Sequence, residues 1–284
     1  MAGYVQSPLE WGWSELKQES LAFGSAAHAV AGSEGARRPE AITVRRIGTG
    51  DLTKALGQGF DDFAACRTDV IMLCLIYPLI GLILAAAAVG HAALPLVFPL
   101  VSGFALLGPV AAVGLYQMSR RREEGRGISW ADAFGVLQSP ALGAIGVLGL
   151  LLVAIFCAWI GAAYGIYAAT LGPAPPASLA TFAHDVVATP AGWAMIAAGI
   201  GAGFVFAAAV LAISVVSFPL LLDRDVGLAS AIATSVRAVA ANPGAMALWG
   251  LMVAAALVAG SIPFLLGLAV VVPAFGHATW HLYR

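Results

Sequence analysis

The sequence predicts an all-α membrane protein: six transmembrane helices arranged as three hairpins, each hairpin preceded by an amphipathic helix at the cytoplasmic interface. Three observations predict this class: the composition, four long intervals without charged residues, and the placement of the basic residues. Of the 284 residues, 61% are hydrophobic and 10% are charged, and the mean hydropathy is +0.91. Soluble domains carry about 25% charged residues. Lipid must therefore cover much of this surface.

The charge-free intervals define the predicted spans. Each is long enough for at least one helix of about 20 residues across a bilayer, and they cover residues 70–119, 133–184, 186–222 and 238–283. Turn signals at Gly90–His91 and in "GSIP" (260–263) divide the first and last intervals, and the prolines of "GPAPP" (172–176) end the third helix. The predicted spans are about 70–90, 93–118, 141–171, 193–222, 244–260 and 262–280.

The basic residues support this count. If six spans alternate in direction, one side of the membrane carries residues 1–69, 119–141, 223–243 and the C-terminal tail, and these segments hold all 14 Lys and Arg residues. Lys and Arg favour cytoplasmic loops, so both termini are predicted to be cytoplasmic. Five spans are the alternative, because this count would place only Arg284 on the other side.

An amphipathic stretch precedes each pair of spans. In the first and third stretches, four apolar residues share one helical face with the spacing i, i+4, i+8, i+11. The apolar positions are Leu52, Leu56, Phe60 and Phe63, then Leu228, Ile232, Val236 and Val239, and in a shorter version Trp130, Phe134 and Leu137. Such helices typically lie in the plane of the membrane interface.

The chain divides into residues 1–50, a cytoplasmic amphipathic helix and linker, and residues 51–284, the six-helix transmembrane domain. Ser7, Pro8 and Glu10 form a capping-box pattern that predicts the start of the first helix. The first 40 residues contain five glutamates and no apolar run, which argues against a cleavable signal peptide.

Four arginines follow the second span in "SRRREEGR": Arg120, Arg121, Arg122 and Arg126. We expect them to fix the cytoplasmic end of the span and to contact anionic lipid headgroups, which contribute about 1 kcal/mol per basic residue near the surface. No aromatic residues accompany them as a stacking platform. Nucleic acid is therefore not an expected partner.

Two small-residue motifs predict a contact between the third and fourth spans. Gly161 and Gly165, and likewise Gly199 and Gly203, are spaced i, i+4 in the outer halves of these spans. Small residues at this spacing allow transmembrane helices to approach closely.

His277 and His281 are the candidate metal ligands. Their i, i+4 spacing could present two nitrogens to one ion, with Asp223 or Asp225 from the preceding cytoplasmic loop. The favoured interpretation is an aromatic anchor at the membrane interface, because "HATWHLYR" combines His, Trp and Tyr. The predicted span interiors contain no His, and no pattern of a protease, phosphate-binding loop or dinucleotide fold occurs. We therefore predict no catalytic residue, no bound metal and no cofactor.

Several segments resemble one family. They are "VRRIGTGDLTKALGQGFDDFAACRTDVIMLCLIYPLIGLILA", "FPLVSGFALLGPVAAVGLYQMSRRREEG", "SFPLLLDRDVGLASAIATSVRAVAANP" and "GHATWHLYR". Over residues 44–284 the chain resembles the predicted integral membrane proteins of proteobacteria called domain of unknown function 2189. The resemblance implies an inner-membrane location and no established activity.

The function expected from the sequence is that of a non-enzymatic scaffold or accessory subunit of a membrane complex in the bacterial inner membrane. Its expected partners are the lipid bilayer and a membrane protein complex. The alternative is a small-solute permease or channel, because seven prolines fall in or beside the spans and broken helices often form substrate sites. Coupled transporters usually carry an ionisable residue within the membrane, and the predicted spans have none.

Overall fold

The computed structural model describes residues 42–74, 79, 82–83, 94–127, 129–263 and 265–284. Every regular element within these residues is a helix. Four helices in the described part are long and apolar enough to cross a membrane, namely Leu94–Glu123, Leu142–Thr170, Pro190–Asp223 and Pro243–Ser261. They coincide with the second to fifth predicted spans. The first predicted span, 70–90, lies largely outside the described residues, as does the predicted helix and linker of residues 1–50 up to residue 41.

The helices are named in chain order. They are α1 (Thr49–Cys74), α2 (Leu94–Glu123), α3 (Leu142–Thr170), α4 (Leu179–Ala188), α5 (Pro190–Asp223), α6 (Leu228–Ala241), α7 (Pro243–Ser261) and α8 (Leu268–Tyr283), with a 3-10 helix over Trp130–Gln138 between α2 and α3. α2 begins with a short 3-10 segment at Leu94–Leu96, and a second one at Ala105–Leu107 interrupts it.

The connection from α3 to α5 shows how the sequence sets helix ends. After α3, Gly172 adopts a φ of +93°, which glycine tolerates far better than residues with a Cβ. Ser178 then caps α4 by accepting a hydrogen bond from the Thr181 amide, and Thr189 caps α5 in the same way at Gly192. Pro190 occupies the first turn of α5, where its missing N–H costs nothing. The predicted break over 172–176 is therefore present.

The sixth predicted span, 262–280, differs from the observed helix. The chain turns just after α7, as "GSIP" predicts, and α8 begins only at Leu268 and has 16 residues. It is too short to count among the four candidate spans. α8 packs along α1 more extensively than any other pair of helices in the described chain. At their closest point, a Cβ on Gly59 would lie 2.5 Å from the Ala278 backbone nitrogen.

The amphipathic stretches are helical, and small residues form the faces that they bury against other helices. In α1 the buried residues include Ala55 and Gly59, whereas Phe60, on the predicted interfacial face, is 46% exposed. In α6 the buried face includes Ala231 and Ala238, and Val236, on the predicted interfacial face, is exposed. Small residues let these helices approach their neighbours closely, so the larger apolar side chains point outward. Outward-facing apolar side chains suit a membrane interface.

Two hydrophobic cores hold the helices together. The larger one joins α2, α3, α5 and α8, and its fully buried members include Leu115, Leu148, Phe218 and Trp280. The smaller one surrounds Trp249 of α7, where α1, α5, α7 and α8 meet. Both cores lie next to the end of the bundle that carries the charged residues.

Candidate site at the charged end of the bundle

Asp62 of α1 is the centre of a polar network that joins three helices. Its side chain is buried, at 5% exposure. Oδ1 accepts a hydrogen bond from Arg122 Nη1 at 2.5 Å, and Oδ2 accepts one from Ser119 Oγ at 2.6 Å. His281 Nε2 of α8 lies 2.8 Å from the same Oδ2. We call Asp62, Ser119, Arg122, His277 and His281 the polar network.

His277 completes the network from deeper in α8. Its Nδ1 lies 2.7 Å from Ser119 Oγ. Because the Ser119 hydroxyl hydrogen is donated to Asp62, His277 must donate from Nδ1 to the Ser119 oxygen. The other ring nitrogen, Nε2, is buried and has no hydrogen-bond partner among the described residues.

The carboxylate of Asp62 is held in its charged form. Burial alone would raise the pKa of Asp62, but the hydrogen bonds from His281 and Ser119 and the nearby His281 and His277 rings outweigh burial and hold this pKa below its usual value of 3.8. The facing guanidinium of Arg122 supplies the compensating positive charge that a buried carboxylate needs.

A second group of side chains lies beside the network. We call Glu123, Asp223, Trp280, Tyr283 and Arg284 the outer cluster. Glu123 accepts hydrogen bonds from Trp280 Nε1 and Arg284 Nε, each at 3.1 Å. Asp223 accepts one from the Tyr283 hydroxyl at 2.7 Å. Burial, followed by this donation to a carboxylate, raises the pKa of Tyr283. The outer cluster thus joins the ends of α2, α5 and α8.

The four predicted headgroup arginines bind mainly to the protein itself. Arg122 belongs to the network, and Arg120 donates to the backbone carbonyl of Leu222 at the end of α5, at 2.5 Å. Arg121 pairs with Asp132 of the 3-10 helix at 3.3 Å. Arg126 pairs with Glu124, and its side chain remains 63% exposed. Lipid contact by these arginines stays a prediction, with Arg126 the most accessible of the four.

The two candidate metal ligands are close together, but their surroundings differ from the predicted site. Asp62 takes the place expected for Asp223 or Asp225, and its oxygens already accept hydrogen bonds from Arg122 and Ser119. Within the described residues, no group of three or more His, Cys, Asp or Glu side chains is arranged to hold a metal ion.

The predicted contact between the two glycine motifs stays a prediction. α3 and α5 pack against each other, but Gly161, Gly165 and Gly199 face open space in the described structure. Gly203 approaches α3 at Trp159, whose ring would lie 3.3 Å from an added Cβ. The larger Trp159 occupies the contact, because its indole is fixed by a hydrogen bond to the Pro99 carbonyl of α2.

Two cavities adjoin these elements. A polar cavity of about 800 Å³ opens beside the outer cluster, between α1, α6 and the C-terminus. An apolar cleft of about 530 Å³ lies between α2, α5, α7 and α8. Met246 of α7 lines both spaces.

The sequence reasoning missed Asp62, Ser119 and the paired role of the two histidines. A signal was available in the buried face of α1, where Leu52, Ala55 and Gly59 are followed by Asp62 at the spacing of one helical stripe. A carboxylate on a face of small residues indicates a buried partner.

Comparison with known proteins finds a match to one family model. Residues 97–223 match the family model described as "Predicted integral membrane protein (DUF2189)". The match confirms the resemblance over those residues, which run from α2 to the end of α5. The match and the four apolar helices make the chain an integral membrane protein, and a lipid bilayer is its environment. No curated protein and no solved structure matches the chain. In the DUF2189 segment lie Ser119, Arg122 and Glu123, whereas Asp62 and both histidines lie outside it.

Proposed function

We propose that this protein is a non-enzymatic scaffold or accessory subunit of a complex in the bacterial inner membrane. Its transmembrane domain has six spans in three hairpins, and both termini are cytoplasmic. The observation that carries the proposal is the joining of α1, α2, α5 and α8 at one end by the polar network and the outer cluster. Such an end is a rigid surface, suited to holding a partner in place.

The network also supports the proposed topology. Hydrogen bonds bring together the C-terminal ends of α2, α5 and α8. The C-terminal ends of the second, fourth and sixth predicted spans lie in these parts of the three helices. If the six spans alternate in direction, the second, fourth and sixth spans all end on the same side of the membrane. The basic residues at these ends favour the cytoplasm.

Site-specific photo-crosslinking in intact membranes tests the scaffold. A photoreactive residue at position 137 replaces an apolar side chain that is 61% exposed on the proposed cytoplasmic side, and the matched control at position 187, on the proposed outer side, is equally exposed at 61%. We expect one defined protein to be captured from Leu137 and to co-purify in fixed stoichiometry after mild detergent extraction. Capture of lipid alone from both positions would overturn the proposal.

The orientation needs its own measurement. A thiol label at Glu124→Cys, in a chain whose native cysteines are replaced, should react only from the cytoplasmic side. A reporter fused after Arg284 should be active only in the cytoplasm. Labelling of position 124 from the periplasm would overturn the topology.

A small-solute permease is the second candidate, favoured by one observation. The helix α2 is broken into short α and 3-10 segments around Ala105–Leu107, and transporters often build their sites from broken helices. Osmotic swelling of vesicles that contain the purified protein tests it. Swelling no faster than in protein-free vesicles, across neutral and charged small solutes, would remove this candidate.

A further inference from the structure

The polar cavity carries an excess of positive charge among its described lining residues. Four basic side chains line it, and two acidic ones: Arg45, Lys54, Arg224 and Arg284, with Asp51 and Glu123. Glu123 is already paired with Arg284, and Asp51 accepts a hydrogen bond from the Gly48 amide. The side chains of Arg45 and Lys54 have no hydrogen bond or ion pair to another described residue. The cavity is therefore suited to an anion.

The apolar cleft next to it is suited to a hydrocarbon chain. It lies among three of the four candidate spans, α2, α5 and α7, and is closed on one side by α8. Its polar side chains are few and include Ser214 and Thr279, each of which donates its hydroxyl to a backbone carbonyl of its own helix. A volume of about 530 Å³ falls within the range of ligand pockets.

The two spaces are neighbours along the same helices. Met246 lines both, and of the consecutive residues Val215 and Val216 of α5 the first lines the cleft and the second the polar cavity. The same division occurs in α6, where Ala238 lines the cavity and Val239 the cleft. Methionine is flexible enough to yield to a chain that passes it.

We propose that the polar cavity and the apolar cleft together bind one phospholipid with an anionic headgroup. The phosphate lies near Arg45 and Lys54, and an acyl chain passes Met246 into the cleft. A basic cavity that continues into an apolar cleft within the membrane matches both halves of such a molecule. A soluble anion fills only the first space, and a zwitterionic lipid such as phosphatidylcholine brings a choline cation that offsets the attraction of its phosphate to the basic side chains.

Thermal unfolding of the full-length, delipidated protein in detergent tests the proposal. The probes are dioleoyl phosphatidylglycerol, dioleoyl phosphatidylcholine, inorganic phosphate and glycerol phosphate. We expect phosphatidylglycerol to raise the unfolding temperature at much lower concentration than phosphatidylcholine, and the two soluble phosphates to have little effect. Equal effects of the two lipids, or the full effect with phosphate alone, would overturn the proposal.

Matched variants locate the site. Arg45→Gln with Lys54→Gln should weaken the response to phosphatidylglycerol about thirtyfold, at about 1 kcal/mol per basic residue. The control Arg46→Gln with Arg237→Gln removes two exposed charges that do not line the cavity and should keep the response. If the control variant loses as much of the response to phosphatidylglycerol as the test variant, the lipid is attracted only by the overall charge of the protein, and the proposal is wrong.

A second pair of variants tests the cleft on one helix. Ala254 lines the cleft, whereas the adjacent and also exposed Ala255 does not. Ala254→Phe should reduce the response to phosphatidylglycerol, and Ala255→Phe should not. Ala247→Phe, in the same cleft, replaces the first variant if that protein does not fold. An undiminished response in the cleft variant would exclude an acyl chain there.

Discussion

Replacing Asp62 by asparagine tests whether the polar network stabilises the fold. The substitution keeps the shape of the side chain but removes its charge. In the variant, Arg122 lacks its counter-ion. The asparagine amide has one oxygen as an acceptor, whereas the carboxylate of Asp62 has two. The side chains that approach Asp62 come from α2 and α8, at distances of 2.5 to 2.8 Å. The change therefore weakens the joining of three helices at a single point.

The expected loss follows from the contacts. Hydrogen bonds to a charged group contribute about 1.5–3 kcal/mol each, and breaking a fully buried ion pair costs about 3–5 kcal/mol. Arg122 is partly exposed, with 38% of its side chain accessible, so water restores part of its solvation. We expect the free energy of unfolding to fall by about 2–4 kcal/mol. This is equivalent to about 5–15 °C in the unfolding temperature for a chain of this size.

Thermal unfolding in detergent, followed by circular dichroism, measures this loss. Asp61→Asn is the matched control, because Asp61 directly precedes Asp62 in the same helix and is exposed. We expect the control to change the free energy of unfolding by less than about 0.5 kcal/mol. A double-mutant cycle with Arg122→Gln should show coupling between the two side chains, since Asp62→Asn alone already leaves Arg122 unpaired. Equal stability of the Asp61 and Asp62 variants would refute the reasoning.

The effect of Asp62 must also depend on pH with a defined sign. The pKa of Asp62 in the folded state lies below 3.8, so its charge stabilises the fold at every pH above the unfolded-state pKa. This contribution is lost as the pH falls through the folded-state pKa. The stability difference between the natural protein and Asp62→Asn should therefore shrink as the pH falls below 3.8. A difference that grew below this pH would contradict the assignment of a stabilising carboxylate.

Three further changes test the packing. Gly59→Val should destabilise the protein by more than 2 kcal/mol, as an order-of-magnitude estimate for overpacking, because the Ala278 backbone is only 2.5 Å from an added Cβ; urea or thermal unfolding measures it. Gly161→Val, at a site with open space around the Cβ, should leave the stability nearly unchanged in the same assay. A large loss of stability would indicate that the predicted contact between the glycine motifs forms in the membrane. Asn242→Ala should lower the free energy of unfolding by about 1–3 kcal/mol and increase hydrogen exchange at the Ile47 amide. The reason is that Asn242 Oδ1 accepts a hydrogen bond from the Ile47 amide at 2.8 Å.

Composition and charge placement predicted the helical class and four spans that the described structure contains. Those features depend on averages over about 20 residues, so no single misjudged contact changes them. The buried faces of α1 and α6 depend instead on which neighbour each helix meets. The spacing of apolar residues identified the outward face with Phe60 and Val236, but it did not identify Gly59 and Ala231 as the residues buried against other helices. A pattern within one helix carries no information about the distance to the next.

The candidate site was only half predictable for the same reason. His277 and His281 stand out in the sequence through their spacing, but their partners are distant along the chain, at positions 62 and 119. The contact between the glycine motifs, which their local spacing suggested, stays a prediction. In the described structure Gly203 approaches Trp159, a single large residue fixed by the Pro99 carbonyl.

The polar network also bears on where the functional unit begins and ends. The DUF2189 match covers residues 97–223, which contribute Ser119 and Arg122. The remaining partners come from α1 before this segment and from α8 after it, so the matched part alone would leave the Arg122 guanidinium without its buried carboxylate. Removing one partner of such a pair costs more than the pair contributes when intact. We infer that α1 and α8 fold as one domain with the matched segment, as expected for residues 51–284, and that a fragment limited to 97–223 would lack the charged end on which the proposed scaffold depends.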